Sequence, residues 1–233
     1  MIPRLYITES LKENSILTLE NEQFHYLKNV LRLSEAAKIK LFNGRDGEWE
    51  AELTNIEKRR ASMRCTRQIA IQHHRPPITL MFAPIKPARM DILVEKATEL
   101  GVTQLQPVLC AYGNIRKINI DRMQSQVIEA SEQSERLDIP VIQPLVPLAT
   151  AIAEHPGCIL WADESRTQTA KFKDAISTHD ITGLLIGPEG GFSPEEKNYL
   201  SSQPKVIPVS LGPLILRAET AGIVMLALYQ AQT

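Results

Sequence analysis

Gly183-Leu184-Leu185-Ile186-Gly187-Pro188-Glu189-Gly190-Gly191-Phe192-Ser193-Pro194-Glu195-Glu196 runs from an apolar segment, through a loop with three glycines, into the opening of a helix. Gly183–Ile186 carries no polar side chain on either face, the pattern of a strand covered on both sides in a parallel sheet. Ser193, Pro194 and Glu196 then supply an N-cap, a first-turn proline and a capping-box glutamate, which predicts a helix over Pro194–Ser202. Strand, turn and helix in that order are the repeating unit of an α/β domain.

The same rhythm extends outward from this stretch. Upstream, Ile78–Ile85 is an apolar run, and helix Arg89–Leu100 puts Ile92, Leu93, Ala97 and Leu100 on one side before Gly101 stops it. Strand Gln104–Cys110, helix Asp121–Leu137, helix Leu148–Glu154, strand Cys158–Ala162 and helix Gln168–Ser177 follow. Downstream come strand Val206–Val209 and a last helix over Glu219–Tyr229. Residues 76–233 therefore read as an α/β domain.

Residues 1–75 read differently, as short strands with one helix. Arg4–Ile7, Ile16–Leu19 and Lys38–Phe42 are β-like, the last meeting the turn signal Asn43-Gly44. Trp49, Ala51 and Leu53 share a face of Glu48–Ile56, and Ala61, Met63 and Cys65 repeat the period of two. Phe24, Leu27, Val30 and Leu31 fall at helical spacing in a helix opened near Asn21. Strands this short suggest a small barrel. Gln72-His73-His74-Arg75-Pro76-Pro77 is polar and then stiffened by proline, so the domain boundary is placed there.

Composition narrows the class. The chain has 233 residues, 43% hydrophobic and 23% charged, which excludes disorder. Its best membrane candidate, Ala221–Tyr229, is too short to span a bilayer. Met1–Ile16 lacks an apolar signal core, so no export is expected. Cys65, Cys110 and Cys158 form an odd set with no close pair, which points away from disulfides and toward a reducing, cytoplasmic setting. No His, Cys, Asp and Glu cluster has ligand spacing, so no metal is expected. Residues 1–75 carry 13 basic and 10 acidic side chains, and residues 76–233 carry 13 and 17. That bias permits RNA contact through the front domain without requiring it.

Ligands of an open parallel sheet sit at the carboxyl ends of its strands. Two junctions there are informative: Gly187–Glu196, and the apolar Ser210-Leu211-Gly212-Pro213-Leu214-Ile215-Leu216-Arg217-Ala218-Glu219-Thr220-Ala221 before the last helix. A glycine-rich turn after a strand serves equally as punctuation or as a binding loop. Neither junction matches G-x-x-x-x-G-K-[ST], and no G-x-G-x-x-G follows an early strand, so polyphosphate and dinucleotide binding lose support. Two apolar, glycine-containing loops suit a neutral nucleoside-like cofactor better.

Gly187–Ser193 and Leu211–Ala221 together resemble the signature loops of the ribosomal RNA small subunit methyltransferase E family. Lys86, Arg89-Met90-Asp91, Glu95–Gly101, Glu132–Arg136 before Ile139-Pro140, and His25 with Val30-Leu31-Arg32 extend the match in order along the chain. The resemblance implies a PUA-like RNA-binding barrel over 1–75, then a SPOUT-class α/β domain over 76–233 with a deep C-terminal trefoil knot. It further implies S-adenosylmethionine as cofactor, methylation of uridine N3 in 16S rRNA, and a homodimer. The cofactor residues expected from it are Leu160, Trp161, Ile186, Gly187, Pro188, Glu189, Gly190, Gly191, Ser210, Leu211, Gly212, Ile215, Leu216 and Thr220. Phe192, beside the glycines, is expected against the cofactor as well. Leu214 stands where the family usually has arginine, and Ala36-Ala37 replaces a glycine-containing turn.

Methyl transfer from a sulfonium needs an in-line nucleophile and no metal. Arg217 is the candidate to stabilise negative charge on the uracil, and Glu219 or Glu189 to accept the N3 proton, with helix capping or arginine pairing open for either carboxylate. Arg4, Arg32, Lys86 and Arg136 are candidate RNA contacts as a group. Two other readings remain at this level: a non-catalytic RNA-binding assembly factor of the same fold, and a SPOUT tRNA ribose 2′-O-methyltransferase.

Overall fold

A computed structural model describes residues 2–165 and 170–232. The chain forms two compact units, Met1–His74 with Ser131–Ile139, and Arg75–Ala130 with Pro140–Thr233.

In the first unit, β1 (Arg4–Tyr6), β2 (Ile16–Glu20), β3 (Lys38–Phe42), β4 (Glu48–Ile56) and β5 (Arg60–Ala70) make one sheet in the order β1-β3-β4-β5-β2. β1 runs parallel to β3, and the other pairs are antiparallel. The period-two residues do what their spacing requires: Ala51, Leu53, Ala61, Met63 and Cys65 are buried in one core with Leu5, Ile39 and Leu41. Helix α1 (Asn21–His25) passes into a π-helical turn, Tyr26–Val30. Phe24 and Leu27 reach the core, but Val30 is 58% exposed, because the wider π turn rotates it off the apolar face.

Residues 131–139 were expected wholly within the second domain but belong to the first unit. Arg4 explains the grouping. Its guanidinium pairs with Glu48 and donates to the carbonyls of Ser131, at 2.7 Å, and Arg136. Tyr6 N also donates to Glu132 Oε1 at 2.9 Å.

The second unit holds β6 (Thr79–Phe82), α2 (Pro87–Glu99), β7 (Gln104–Leu109), α3 (Ile120–Gln133), β8 (Val141–Ile142), β9 (Val146–Pro147) and α4 (Leu148–Glu154). Then come β10 (Cys158–Ala162), β11 (Ala170–Lys171), α5 (Phe172–Thr178), β12 (Ile181–Ile186), α6 (Pro194–Ser202), β13 (Val206–Ser210) and α7 (Ala218–Gln230). Helix α3 ends four residues before the predicted Leu137, and its last three residues, 131–133, already belong to the first unit. Of the helix expected over 168–177, Gln168 and Thr169 lie outside the described residues, Ala170–Lys171 form β11, and α5 opens at Phe172.

The sheet is wholly parallel, in the order β11-β13-β10-β12-β6-β7-β8, with β9 also on β7. Its strands alternate between two buried faces. Leu80, Phe82, Leu160, Leu184 and Ile186 pack with Leu93 of α2 and Met225 of α7. Met81, Ile159, Trp161 and Leu185 pack with Ile152 of α4 and Leu200 of α6. Double coverage is why these strands read as unbroken apolar runs. No helix among the described residues is long and apolar enough to cross a membrane.

Candidate active site

β13, β10 and β12 are neighbours in the sheet, so the segments leaving their carboxyl ends converge. Asp163 and Glu164 follow β10, Gly187–Ser193 follow β12, and Leu211–Arg217 follow β13. Together they enclose a cavity of about 360 Å³, within the range of small-molecule sites. Ile186, Gly187, Pro188, Glu189 and Gly191 line it from one loop, and Ser210, Leu211, Gly212, Leu214, Ile215, Leu216 and Arg217 from the other. Ala162, Asp163 and Glu164 complete the wall, with Arg89 from α2 and Ala218 and Ala221 from α7.

Local sequence explains the loop shapes. Ser193 Oγ accepts from Glu196 N at 3.2 Å while Ser193 N donates to Glu196 Oε2 at 2.9 Å, the capping box that turns the first loop into α6. Gly187 is required by a close approach: a Cβ there would lie 2.8 Å from the Phe192 ring. Gly212 has φ 114°, a backbone few other residues adopt, and it sets the bend of the second loop. Leu214 and Ile215 beyond it are 75% and 81% exposed. Glu164 pairs with Lys197 Nζ at 2.7 Å, and this hydrogen bond raises the lysine pKa.

Some of the expected residues lie elsewhere. Leu160 and Trp161 are interior, one on each face of the sheet, and the cavity begins only at Ala162. Trp161 packs edge-on to Phe192 at 5.9 Å, so Phe192 is a core residue under the loop and does not line the cavity. Gly190 faces Tyr112, whose Cβ would be 3.3 Å from an added Cβ, and exposed Thr220 is not in the wall. Among the catalytic candidates, Arg217 and Glu189 line the cavity, whereas Glu219 is buried behind it. Of the RNA candidates, Arg32 and Lys86 are exposed. Arg4 and Arg136 are 8% and 1% exposed, bonded within the first unit, and Arg136 pairs with Asp138 at 3.1 Å. Guanidinium groups so enclosed do not reach a phosphate.

Five wall residues lie outside the expected set, the polar Asp163, Glu164 and Arg89 and the small Ala218 and Ala221. Asp163 is the first polar residue after the apolar strand Cys158–Ala162, and its place directly beyond the strand's carboxyl end is the signal that marks it. Its Oδ1 and Oδ2 accept from Ser165 N and Oγ at 3.0 and 2.6 Å. Arg89 stood in a matching motif but had no role until the fold brought α2 to the loops. It donates to Glu189 and lies 3.7 Å from Glu219. No group of three or more His, Cys, Asp or Glu side chains able to hold a metal occurs among the described residues.

Residues 73–230, which contain the parallel sheet and the cavity at its strand ends, match the family model of the RNA methyltransferase domain, and residues 19–63 match that of the RNA methyltransferase PUA domain. Ribosomal RNA small subunit methyltransferase E of Rickettsia conorii is 36% identical over 228 residues, covering 96% of this chain and 93% of that relative. The chain belongs to the ribosomal RNA small subunit methyltransferase E family. A Legionella pneumophila protein whose structure holds the bound cofactor SAM superposes with a TM-score of 0.88 at 27% identity, covering 99% of this chain and 98% of that one. The Neisseria gonorrhoeae ribosomal RNA small subunit methyltransferase E, bound to S-adenosyl methionine, does so with a TM-score of 0.83 at 29% identity and the same coverage.

Proposed function

We propose that this protein is an S-adenosylmethionine-dependent methyltransferase of 16S rRNA that modifies N3 of a uridine, working as a cytoplasmic homodimer on the small ribosomal subunit. The observation that carries the reading is the meeting of the 187–191 and 211–217 loops around one cavity. Its wall fits the cofactor chemically. Ile186, Leu211 and Leu216 offer apolar surface to an adenine, and the carboxylates of Asp163, Glu164 and Glu189 suit the positive charges of an amino acid sulfonium. When bound, the cofactor supplies an electrophilic methyl group.

The chain's own residues supply orientation and charge. Holding N3 in line with the methyl group is worth several orders of magnitude in rate. Loss of the N3 proton leaves negative charge on the uracil oxygens, which exposed Arg217 at the cavity edge is suited to stabilise. Of the two carboxylates considered for that proton, Glu189 is the reachable one, since it lines the cavity and its side chain is 38% exposed while that of Glu219 is 10% exposed. Glu219, enclosed and next to Arg89, supports the loops instead. Arg32 and Lys86 remain candidates for RNA contact, and exposed Leu214 and Ile215 are candidates for the partner subunit. We further propose the trefoil threading, a reading supported by the placement of β10 between β12 and β13.

Incubation with small-subunit rRNA and methyl-labelled cofactor, then nucleoside mass spectrometry, tests the reaction. The expected product is 3-methyluridine. A 2′-O-methyl product would replace the assigned target, and cofactor binding without any product would favour the assembly-factor reading.

A further inference from the structure

Arg89 stands outside both loops, in the first turn of α2, yet it reaches both. Its Nη1 donates to Oε1 of Glu189, in the loop after β12. Its Nε lies 3.7 Å from Oε1 of Glu219, in the first turn of α7, immediately beyond the loop after β13. Different nitrogens of one planar guanidinium therefore address carboxylates from two separate passages of the chain. A fork can span that distance, whereas an ammonium is a single point of charge.

The burial of Glu219 makes the contact consequential. Its side chain is 10% exposed, and Oε2 has no hydrogen-bond partner. Arg89 is the cation the structure pairs with this carboxylate. Removing one partner of an enclosed ion pair is far more disruptive than removing an exposed one, because the charge left behind is uncompensated. The arginine thus holds the first turn of α7, where Ala221 N bonds to the Arg217 carbonyl at 2.8 Å, and with it the exit of the second loop.

We propose that Arg89 is a positioning residue, a clamp that holds the 187–191 and 211–217 loops at the separation in which they share one cavity. It takes no part in methyl transfer itself. The consequence for cofactor affinity rests on the function proposed above, and the clamp does not.

The test uses the full chain with Arg89→Met, Arg89→Lys and the double variant Arg89→Met/Glu219→Gln. Hydrogen exchange without cofactor should quicken at 187–193 and 211–219 in all three, with β4 and β5 unchanged. Calorimetry should show the S-adenosylmethionine Kd rising about tenfold, the scale of a lost preorganising contact. The cofactor KM should rise with it, and kcat should shift as well, because Arg89 also bonds to Glu189, the carboxylate assigned to the N3 proton; the clamp is therefore judged by loop exchange and cofactor affinity. The double variant, having no stranded carboxylate, should regain melting temperature but not affinity.

Unchanged exchange in both loops overturns the clamp. So does recovery of affinity in the double variant, which would reduce Arg89 to a counter-charge. If the Met variant does not fold, the Lys and double variants decide. If the native chain gives no heat with S-adenosylmethionine, the cofactor reading fails, and loop exchange still judges the clamp.

Discussion

At the scale of single residues, type proved a weaker guide than place. Arg4, Arg136 and Arg217 are the same side chain with different fates: two are enclosed by carbonyls and carboxylates of the first unit, and one stands exposed at the cavity edge. Arg217→Ala should therefore leave the melting temperature unchanged while lowering kcat about 100-fold, the usual effect of losing one charge-stabilising donor. Steady-state methylation would show it, and unaltered turnover would remove Arg217 from the reaction. His155 makes a separate prediction. Burial, with Lys205 alongside, depresses its pKa below the ordinary value of 6.5, and its Nε2 lies 3.0 Å from Thr182 Oγ1. The unfolded chain takes up this proton first as pH falls, so stability present above pH 6.5 is lost on further acidification. Between pH 7.5 and 5.5 the melting temperature should fall more in the native chain than in His155→Gln. Equal falls would clear His155 of this role.

Among elements, the capping box and the close contact of α2 with α7 hold the site in place. Ser193→Ala removes the N-cap of α6 and should cost about 1 kcal/mol, seen as a lower midpoint in urea with unchanged slope. Gly222 of α7 offers a contest between two effects. Alanine is favoured over glycine in a helix by about 1 kcal/mol, yet a Cβ here would sit 2.8 Å from Leu93 Cδ1 and 3.1 Å from Ile186 Cδ1. Both neighbours are fully enclosed, and overpacking costs roughly 1–3 kcal/mol. Crowding wins, so Gly222→Ala should lower the melting temperature; a rise would show that α2 and α7 can separate at little cost.

For the whole molecule, the division into units predicts what a fragment can do. Residues 1–74 alone lack the Ser131 and Arg136 carbonyls that take up the Arg4 guanidinium. That fragment should melt without cooperativity, and a sharp calorimetric transition would contradict this. The strands, most helices, the capping box and both loops were legible in the sequence because they depend on local chemistry: apolar periodicity, proline at a helix start, glycine at a turn. The family was legible too, since its motifs lie in order along the chain. The π turn that exposes Val30, the transfer of 131–139 to the first unit, the interior positions of Leu160, Trp161 and Phe192, and the reach of Arg89 to Glu189 and Glu219 were not. The π turn is local but breaks the helical period; the others depend on groups far apart in the chain, such as Arg4 with Ser131 and Arg89 with Glu189, meeting in the folded protein, and a linear pattern carries no record of such distances. Chain order by itself determined which elements form and which loops could bind; only their packing decided which side chains face the cavity and which are sealed behind it.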